Sequence, residues 1–408
     1  MTTNNRQAIP DLHIPPSNNT VQVSIINTTS TIRGAKTADF FGPPIRGHDW
    51  LAAPAFSFLI QHQSNKDGTR NLLFDLGIRK DWWNLSPALL SHIKPEGWVL
   101  DVKKSVHEIL KETSFDISTI EAIIWSHHHF DHAGDMSTFG PNTALVVGPD
   151  FTKHLLPGYP ASQNSFLLES DYSGRELVEL DFNQSRKWKA SQIGQVPAID
   201  YFGDGSFYLL DTPGHAIGHI CGLARVTAGG SDGDEDSFIL MAGDAFHHAG
   251  EIRPSSLMPL PREAAPFEAL LPGKPQMGPF YAAAGSTLCC SSGNGQGAAR
   301  WHYDADEAVR TIGKLQEFDA QENILVVAAH DESLLNVVEF FPATAHGFVK
   351  QGWVKKARWR FLWDFVGAVA CDEGEVMKLN VGGLEGERGT GVLREEPNIH
   401  NEYIIDSE

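Results

Sequence analysis

The chain has 408 residues, 41% hydrophobic and 20% charged, enough for a sizeable core and too apolar for a disordered chain. Thirty-two Lys and Arg against 51 Asp and Glu leave a net charge of −19, which repels phosphate backbones and anionic headgroups, so neither nucleic acid nor a membrane surface is expected as a partner. No apolar signal-like core opens the chain, no run reaches the about 18 apolar residues of a membrane span, and four cysteines without a CxxC exclude a disulfide framework; a cytoplasmic location is the expectation.

Residues 1–19, polar and rich in Pro and Asn, read as a disordered or surface-draped lead. Val21–Ile26, Ala55–Gln61 and Asn71–Leu76 read as strands, with Lys66-Asp67-Gly68 as a hairpin-type turn between the last two. Residues 102–113 place Val102, Val106, Ile109 and Leu110 on one helical stripe. Ile120–Trp125 is a buried strand that runs into a histidine cluster. Strands follow at Ala144–Val147, Ser206–Leu210, Ile220–Val226, Phe238–Ala242 and Ile324–Ala328, with a short helix at Pro149–Leu155 and a longer one at about 304–318. Residues 156–200 and 250–300 lack periodicity and read as insertions, with 284–299 the best candidate for a mobile loop. Residues 347–365 mix Trp and basic residues at helical spacing, predicting a late helix that docks Val354, Ala357 and Phe361 and offers the one surface whose composition suggests a homodimer. Beyond it, 366–408 is an acidic tail; a single domain therefore spans 20–365.

Four histidines crowd into six positions, His127-His128-His129-Phe130-Asp131-His132, directly after the strand. In an extended segment 127 and 129 point to one side, so two imidazoles converge while His128 points away. Asp131 and His132 address a second point where the chain turns through Ala133-Gly134. Imidazole and carboxylate together suit Zn²⁺ or a similar cation. Further ligands follow the same design of an apolar strand ending in a polar residue: His215 after SFYLLDTPG, Asp244 after FILMAG and His330 after ILVVAA.

This series, HxHxDH, then TPGH, GD and a strand-end His, resembles the metallo-β-lactamase superfamily, and FDLG at Phe74–Gly77 is similar to its early Asp motif. The resemblance covers roughly 20–340 and implies an α/β fold, the αββα sandwich of two mixed β-sheets flanked by helices, here with long inserted loops. By the same resemblance His127, His129 and His215 hold a first metal, Asp131, His132 and His330 a second, and Asp244 bridges them; Asp75 is a structural residue bracing the metal loop. The implied cofactors are two Zn²⁺, with Fe or Mn suited to the same donors, and the implied chemistry is attack by a metal-activated water.

Within the superfamily, the acidic charge disfavours the nucleic-acid-processing branches, and His129 disfavours the flavodiiron oxidoreductases, which carry Glu there. Long stretches such as FGDGSFYLLDTPGHAIGHICGLAR resemble a filamentous-fungal group related to the N-acyl homoserine lactonases, implying a hydrolase that opens a small cyclic ester, amide or carbamate of a xenobiotic or secondary metabolite. A thioesterase of the glyoxalase II or acyl-carrier type is the alternative, and a non-catalytic metal-binding protein a further one. Lactonases commonly carry Tyr three residues after the bridging Asp; here His247 or His248 supplies that hydrogen bond, or the pair is surface-exposed. Asp131, Asp244 and His247 are thus the expected catalytic residues, and His48, Trp50 and Trp82 the expected pocket walls for a small-molecule substrate.

Overall fold

The computed structural model describes residues 7–42, 48–64, 68–183, 188–229, 235–260 and 301–365. Strands β1 (Val21–Lys36), β2 (Trp50–Ser64), β3 (Gly68–Phe74), β4 (Val99–Val102), β5 (Ile120–Ile124), β6 (Ala144–Val147) and β7 (Leu177–Glu179) form a seven-stranded mixed sheet in the order β4-β1-β2-β3-β5-β6-β7. Strands β8 (Lys189–Ile193), β9 (Val196–Asp200), β10 (Phe207–Asp211), β11 (Ile220–Thr227), β12 (Ser237–Gly243) and β13 (Ile324–Ala328) form a six-stranded one in the order β13-β12-β11-β10-β9-β8.

The period-2 alternation of the strands decides how these sheets stack. Val23, Ile25, Phe58, Ile60, Phe74 and Ile124 of the first sheet meet Phe207, Leu209, Ile239, Met241 and Val327 of the second in one buried cluster. The opposite faces are apolar too. Ile26, Leu59, Leu73, Ile123 and Leu145 pack on Val106 and Leu110 of a helix, α2 below. Leu210, Leu223, Leu240 and Val326 pack on Ala308, Ile312, Leu315 and Phe318. Strands buried on both faces read as continuous apolar runs, which is why Ile120–Trp125 and Ile324–Ala328 stand out in the sequence. The result is the αββα sandwich.

The helices are α1 (Pro87–Ile93), α2 (Val106–Glu112), α3 (Phe130–Ala133), α4 (Phe151–Leu155), α5 (Ala249–Ile252), α6 (Ala305–Asp319) and α7 (Trp353–Ala357). The stripe predicted over 102–113 divides: Val102 ends β4, and α2 starts only after Ser105, whose hydroxyl caps Glu108 N while Glu108 returns to Ser105 N. The helix expected over 347–365 is likewise broken. Gly352 adopts φ +68°, and only α7 and a 3-10 segment at Arg360–Phe365 form, although Ala357 and Phe361 are buried as the spacing predicts. The stretch 156–200, read as an insertion, contains β7, β8 and β9; β8 is a mostly exposed edge strand whose sequence KASQI has no apolar face to announce it. β1 also runs ten residues past its predicted end at Ile26, through register shifts after Asn27 and Arg33. Residues 7–19 form no helix or strand; Leu12 is buried against the α6 layer and Arg225 donates to Pro15 O. The loop 284–299 and the tail 366–408 lie outside the described residues. Among those described, no helix is long and apolar enough to cross a membrane.

Near the ligand-bearing loops the two sheets approach so closely that only glycine fits. A Cβ on Gly148, just after β6, would lie 1.8 Å from Gly218 O, just before β11. We expect Gly148→Ala to destabilise the protein by about 1–3 kcal/mol, because backbone cannot yield as a side chain would. Urea unfolding checks this; an unchanged midpoint would show that this approach is not tight.

Candidate active site

The predicted ligands gather beyond strand ends on this edge, Asp131 and His132 among them on the short helix α3. β5 delivers His127 and His129, the turn after β10 His215, the end of β12 Asp244, and the end of β13 His330. One donor atom of each of His127, His129, His215 and Asp244 lies within 4.8 Å of the others, and the same holds for Asp131, His132, Asp244 and His330. Asp244 is common to both sets. His215 Nε2 stands 3.1 Å from His127 Nε2 and 3.0 Å from His129 Nδ1. Asp244 Oδ1 lies 3.1 Å from His132 Nε2 and 3.2 Å from His330 Nε2, while Asp131 Oδ2 is 3.4 Å from His330 Nε2.

Surrounding groups fix these side chains. Asp75, at φ +58°, accepts Ser126 N at 2.6 Å, Ser126 Oγ at 2.7 Å and His132 Nδ1 at 2.9 Å. His132 therefore keeps its Nδ1–H on Asp75 and turns Nε2 inward. His330 does the same by donating Nδ1–H to Pro54 O at 2.6 Å. His219, not a member of either donor set, links two ligand-bearing segments: its Nε2 accepts Asp244 N at 3.0 Å and its Nδ1–H donates to Thr212 O at 3.0 Å. His128 also belongs to neither set.

The electrostatics separate the two sets. Burial, then His132, His129 and His215, push His127 well below the usual imidazole pKa; burial takes His129 down to about 4 and His215 well below normal. Those three imidazoles are neutral lone-pair donors. Burial also opposes charge on His132 and His330, yet Asp244 with Asp75 lifts the first well above normal, and Asp244 with Asp131 lifts the second to about 10. Three buried carboxylates, Asp75, Asp131 and Asp244, thus favour protons on two imidazoles where a cation would replace them.

The residues fit a metal pair. For Zn–N bonds of about 2.05 Å a tetrahedron puts neighbouring nitrogens about 3.3 Å apart, close to the spacings around His215 Nε2. His132 Nε2 and Asp244 Oδ1 are buried and face each other and His330 Nε2, members of the donor set, as inward-facing ligand atoms should. His127, His129 and His215 would hold one ion, Asp131, His132 and His330 the other, with Asp244 shared.

His247 faces this centre, its Nε2 3.5 Å from Asp244 Oδ2, and its ring lies 4.7 Å from that of His215. Both it and His248 are buried, which removes the exposed-pair alternative. His248 turns the other way: its Nδ1 accepts Gly250 N and its Nε2–H donates to Asp364. Glu251 Oε2 accepts both His247 N and His248 N and so fixes the loop. Of the expected walls, His48 packs its ring on Phe41 and His248, and Trp50 pairs with Lys36 at the start of β2. Trp82 joins the apolar group that holds Phe40 and Trp98. Other rings meet residues of the centre directly. Phe40 sets its edge 5.0 Å from His247 and stacks on Trp301, which lies 5.0 Å from Trp98. His302 lies 5.1 Å from His247. Trp98, Trp301 and His302 escaped the sequence reading because they carry no ligand-like spacing; the one local signal is the position of Trp301-His302 just ahead of Asp304, the cap of α6.

A family model described as the metallo-beta-lactamase superfamily matches residues 52–286. The chain belongs to the metallo-beta-lactamase superfamily. It is 40% identical over 371 residues to "Gamma-lactamase FDB1" of Fusarium pseudograminearum (strain CS3096), covering 87% of this chain and 85% of that one. It is 39% identical over 375 residues to "Metallo-hydrolase mfmC" of Annulohypoxylon moriforme, covering 88% and 91%. A solved quorum-quenching N-acyl homoserine lactone lactonase aligns over 80% of this chain and 99% of its own with a TM-score of 0.48 and 16% identity. This superfamily member is a metal-dependent hydrolase.

Because His132 and His330 hold protons in the metal-free protein, loading must expel them. Calorimetric metal titration at pH 7.5 in buffers of different ionisation enthalpy should report release of about two protons per chain. The release should shrink as pH rises through about 10, where His330 loses its proton without help. Loading without proton release would contradict the electrostatics described here.

Proposed function

We propose that the protein is a dinuclear-zinc hydrolase that opens a small cyclic amide, ester or carbamate, acting in the cytoplasm on a xenobiotic or secondary metabolite. The observation that carries this reading is the pair of four-membered donor sets sharing Asp244, walled by Phe40, Trp98 and Trp301. The names of the fungal relatives support a lactam among the ring types. The composition supports a small uncharged or cationic partner over nucleic acid or membrane.

When bound, the metal pair supplies a nucleophile from water at neutral pH and polarises the carbonyl under attack. The remaining work belongs to side chains. Asp131 and Asp244 bring the negative charge that makes double loading favourable at a buried site. Asp75, through Ser126 and His132, and Pro54 O, through His330, hold the imidazoles in one tautomer. His247, which turns Nε2 toward the centre 3.5 Å from Asp244 Oδ2, hydrogen-bonds the polarised carbonyl oxygen in place of a tyrosine hydroxyl. Phe40, Trp98 and Trp301 exclude water and pack against the flat face of the ring. Water adds across the scissile bond: the acyl carbon takes the hydroxyl, the departing nitrogen or oxygen takes the proton, and the product is an open-chain acid.

Turnover should be measured on a panel of lactams, lactones, cyclic carbamates and acyl thioesters with the zinc-loaded protein. We expect ring opening that chelation abolishes without unfolding the sheets, and a loss of at least about a hundredfold in kcat for Asp244→Asn or Asp131→Asn. Turnover confined to thioesters would establish the thioesterase alternative, and full activity after metal removal would end the hydrolytic assignment to this centre.

A further inference from the structure

His302 belongs to neither metal-holding set, yet the fold fastens it beside both. Immediately after it, Tyr303 N–H donates to His215 O and Asp304 N–H to Gly214 O, both at 2.8 Å. Asp304 then caps α6 by accepting Glu307 N at 2.9 Å. Gly214 has φ +130°, and a Cβ there would lie 2.2 Å from Ala308 N, so the start of α6 rests directly on the turn that carries His215. The backbone of His302 is therefore tied to the backbone of a metal-site residue.

Its ring stands 5.2 Å from that of His215 and 5.1 Å from that of His247, and one nitrogen from each of the three lies within 4.8 Å of the other two. Both His302 nitrogens are buried and, among the described residues, make no hydrogen bond. A neutral imidazole offers one N–H donor and one lone-pair acceptor. Leaving both unmade is costly. A third metal ion is a poor partner, because His215 would have to ligate through both ring nitrogens while its Nε2 already faces His127 and His129. The neighbouring walls, Phe40 and Trp301, are aromatic faces. Among the described residues nothing else is placed to meet these nitrogens, and a polar group carried in by the molecule that occupies the centre would meet them.

We infer that His302 is a substrate-contacting residue whose ring nitrogens hydrogen-bond the amide or ester group of the ring being opened. This rests on the hydrolase reading above and adds a specificity-determining contact to it, supplied by the segment that leads into α6. The experiment compares wild type with His302→Ala and His302→Gln, all zinc-loaded, on 2-pyrrolidinone and γ-butyrolactone and on the best ring of the panel. Metal content and thermal unfolding are measured on the same preparations. Loss of about 10- to 100-fold in kcat/KM for His302→Ala, with metal content unchanged and partial recovery in His302→Gln, supports the inference. Activity within twofold of wild type overturns it, as does a loss that merely tracks lost metal. If wild type opens no ring, the ring-opening reading fails separately. His302 is then judged by calorimetric binding of 4-aminobutyrate and 4-hydroxybutyrate to the zinc-loaded protein: about tenfold weaker binding in His302→Ala supports the contact, and equal binding overturns it.

Discussion

An ionised carboxylate shut away from water persists only if opposite charge lies against it, and Asp244 is such a group. It is 2% exposed and stands within 4 Å of imidazole nitrogens of His127, His132, His215, His247 and His330. Neutral rings alone would not offset the burial. The chain has two ways to supply the missing charge: protons on His132 and His330, or cations between the donor sets. The first balances the charge without metal; the second releases those protons. Metal affinity and proton affinity are thus the same property of one buried charge, read with two different ligands.

Placing that charge where two sheets meet explains why so much of the fold serves so few atoms. Asp75 follows β3 and reaches Ser126 and His132 beyond β5, within the first sheet. Ile220 N–H of β11 donates to Ser126 O, joining the second sheet to the first at the same point. His219 then carries the connection from Thr212, beyond β10, to Asp244, beyond β12. The paired glycines 148 and 218 let the two layers approach closely enough for these links to form. Residues of one type take opposite roles here through their neighbours: burial and neighbouring imidazoles hold His127, His129 and His215 low, while His132 and His330, each against two carboxylates, are raised.

The residues that the structure gathers into the two donor sets were legible in the sequence as a group. His215, Asp244 and His330 each end an apolar strand, a feature that is ambiguous for any one of them and informative only beside the 127–132 cluster, since the ends of strands in one sandwich edge converge. Other features have no such signal. β8 is a polar edge strand, held by its ladder with β9 and not by burial of a face. Nothing local forecasts that Gly352 turns left-handed and delays the start of α7, or that α7 ends at Ala357, short of the 3-10 segment at Arg360–Phe365. The aromatic wall was assigned to Trp50 and Trp82 on their proximity in sequence to early motifs. Trp301 and His302 instead arrive from far along the chain, because backbone hydrogen bonds from residues 303 and 304 tie them to the His215 turn.

This difference in legibility reflects a difference in constraint. A metal-holding residue here answers to charge balance around Asp244, to a fixed tautomer and to a strand end, so almost any substitution costs folding or loading. Phe40, Trp98 and Trp301 answer to ring packing more than to charge, and one apolar ring can replace another with less disturbance to the buried charge. A superfamily member can therefore keep its chemistry while its walls change, and selectivity for one ring over another must be decided on those walls. His302 is the exception among them. It is a wall residue with polar atoms, whose backbone the His215 turn holds in place, and whose unpaired nitrogens cost stability unless the bound molecule completes them. A polar group tolerated at that cost, beside a centre already complete without it, is best understood as part of how the substrate is recognised.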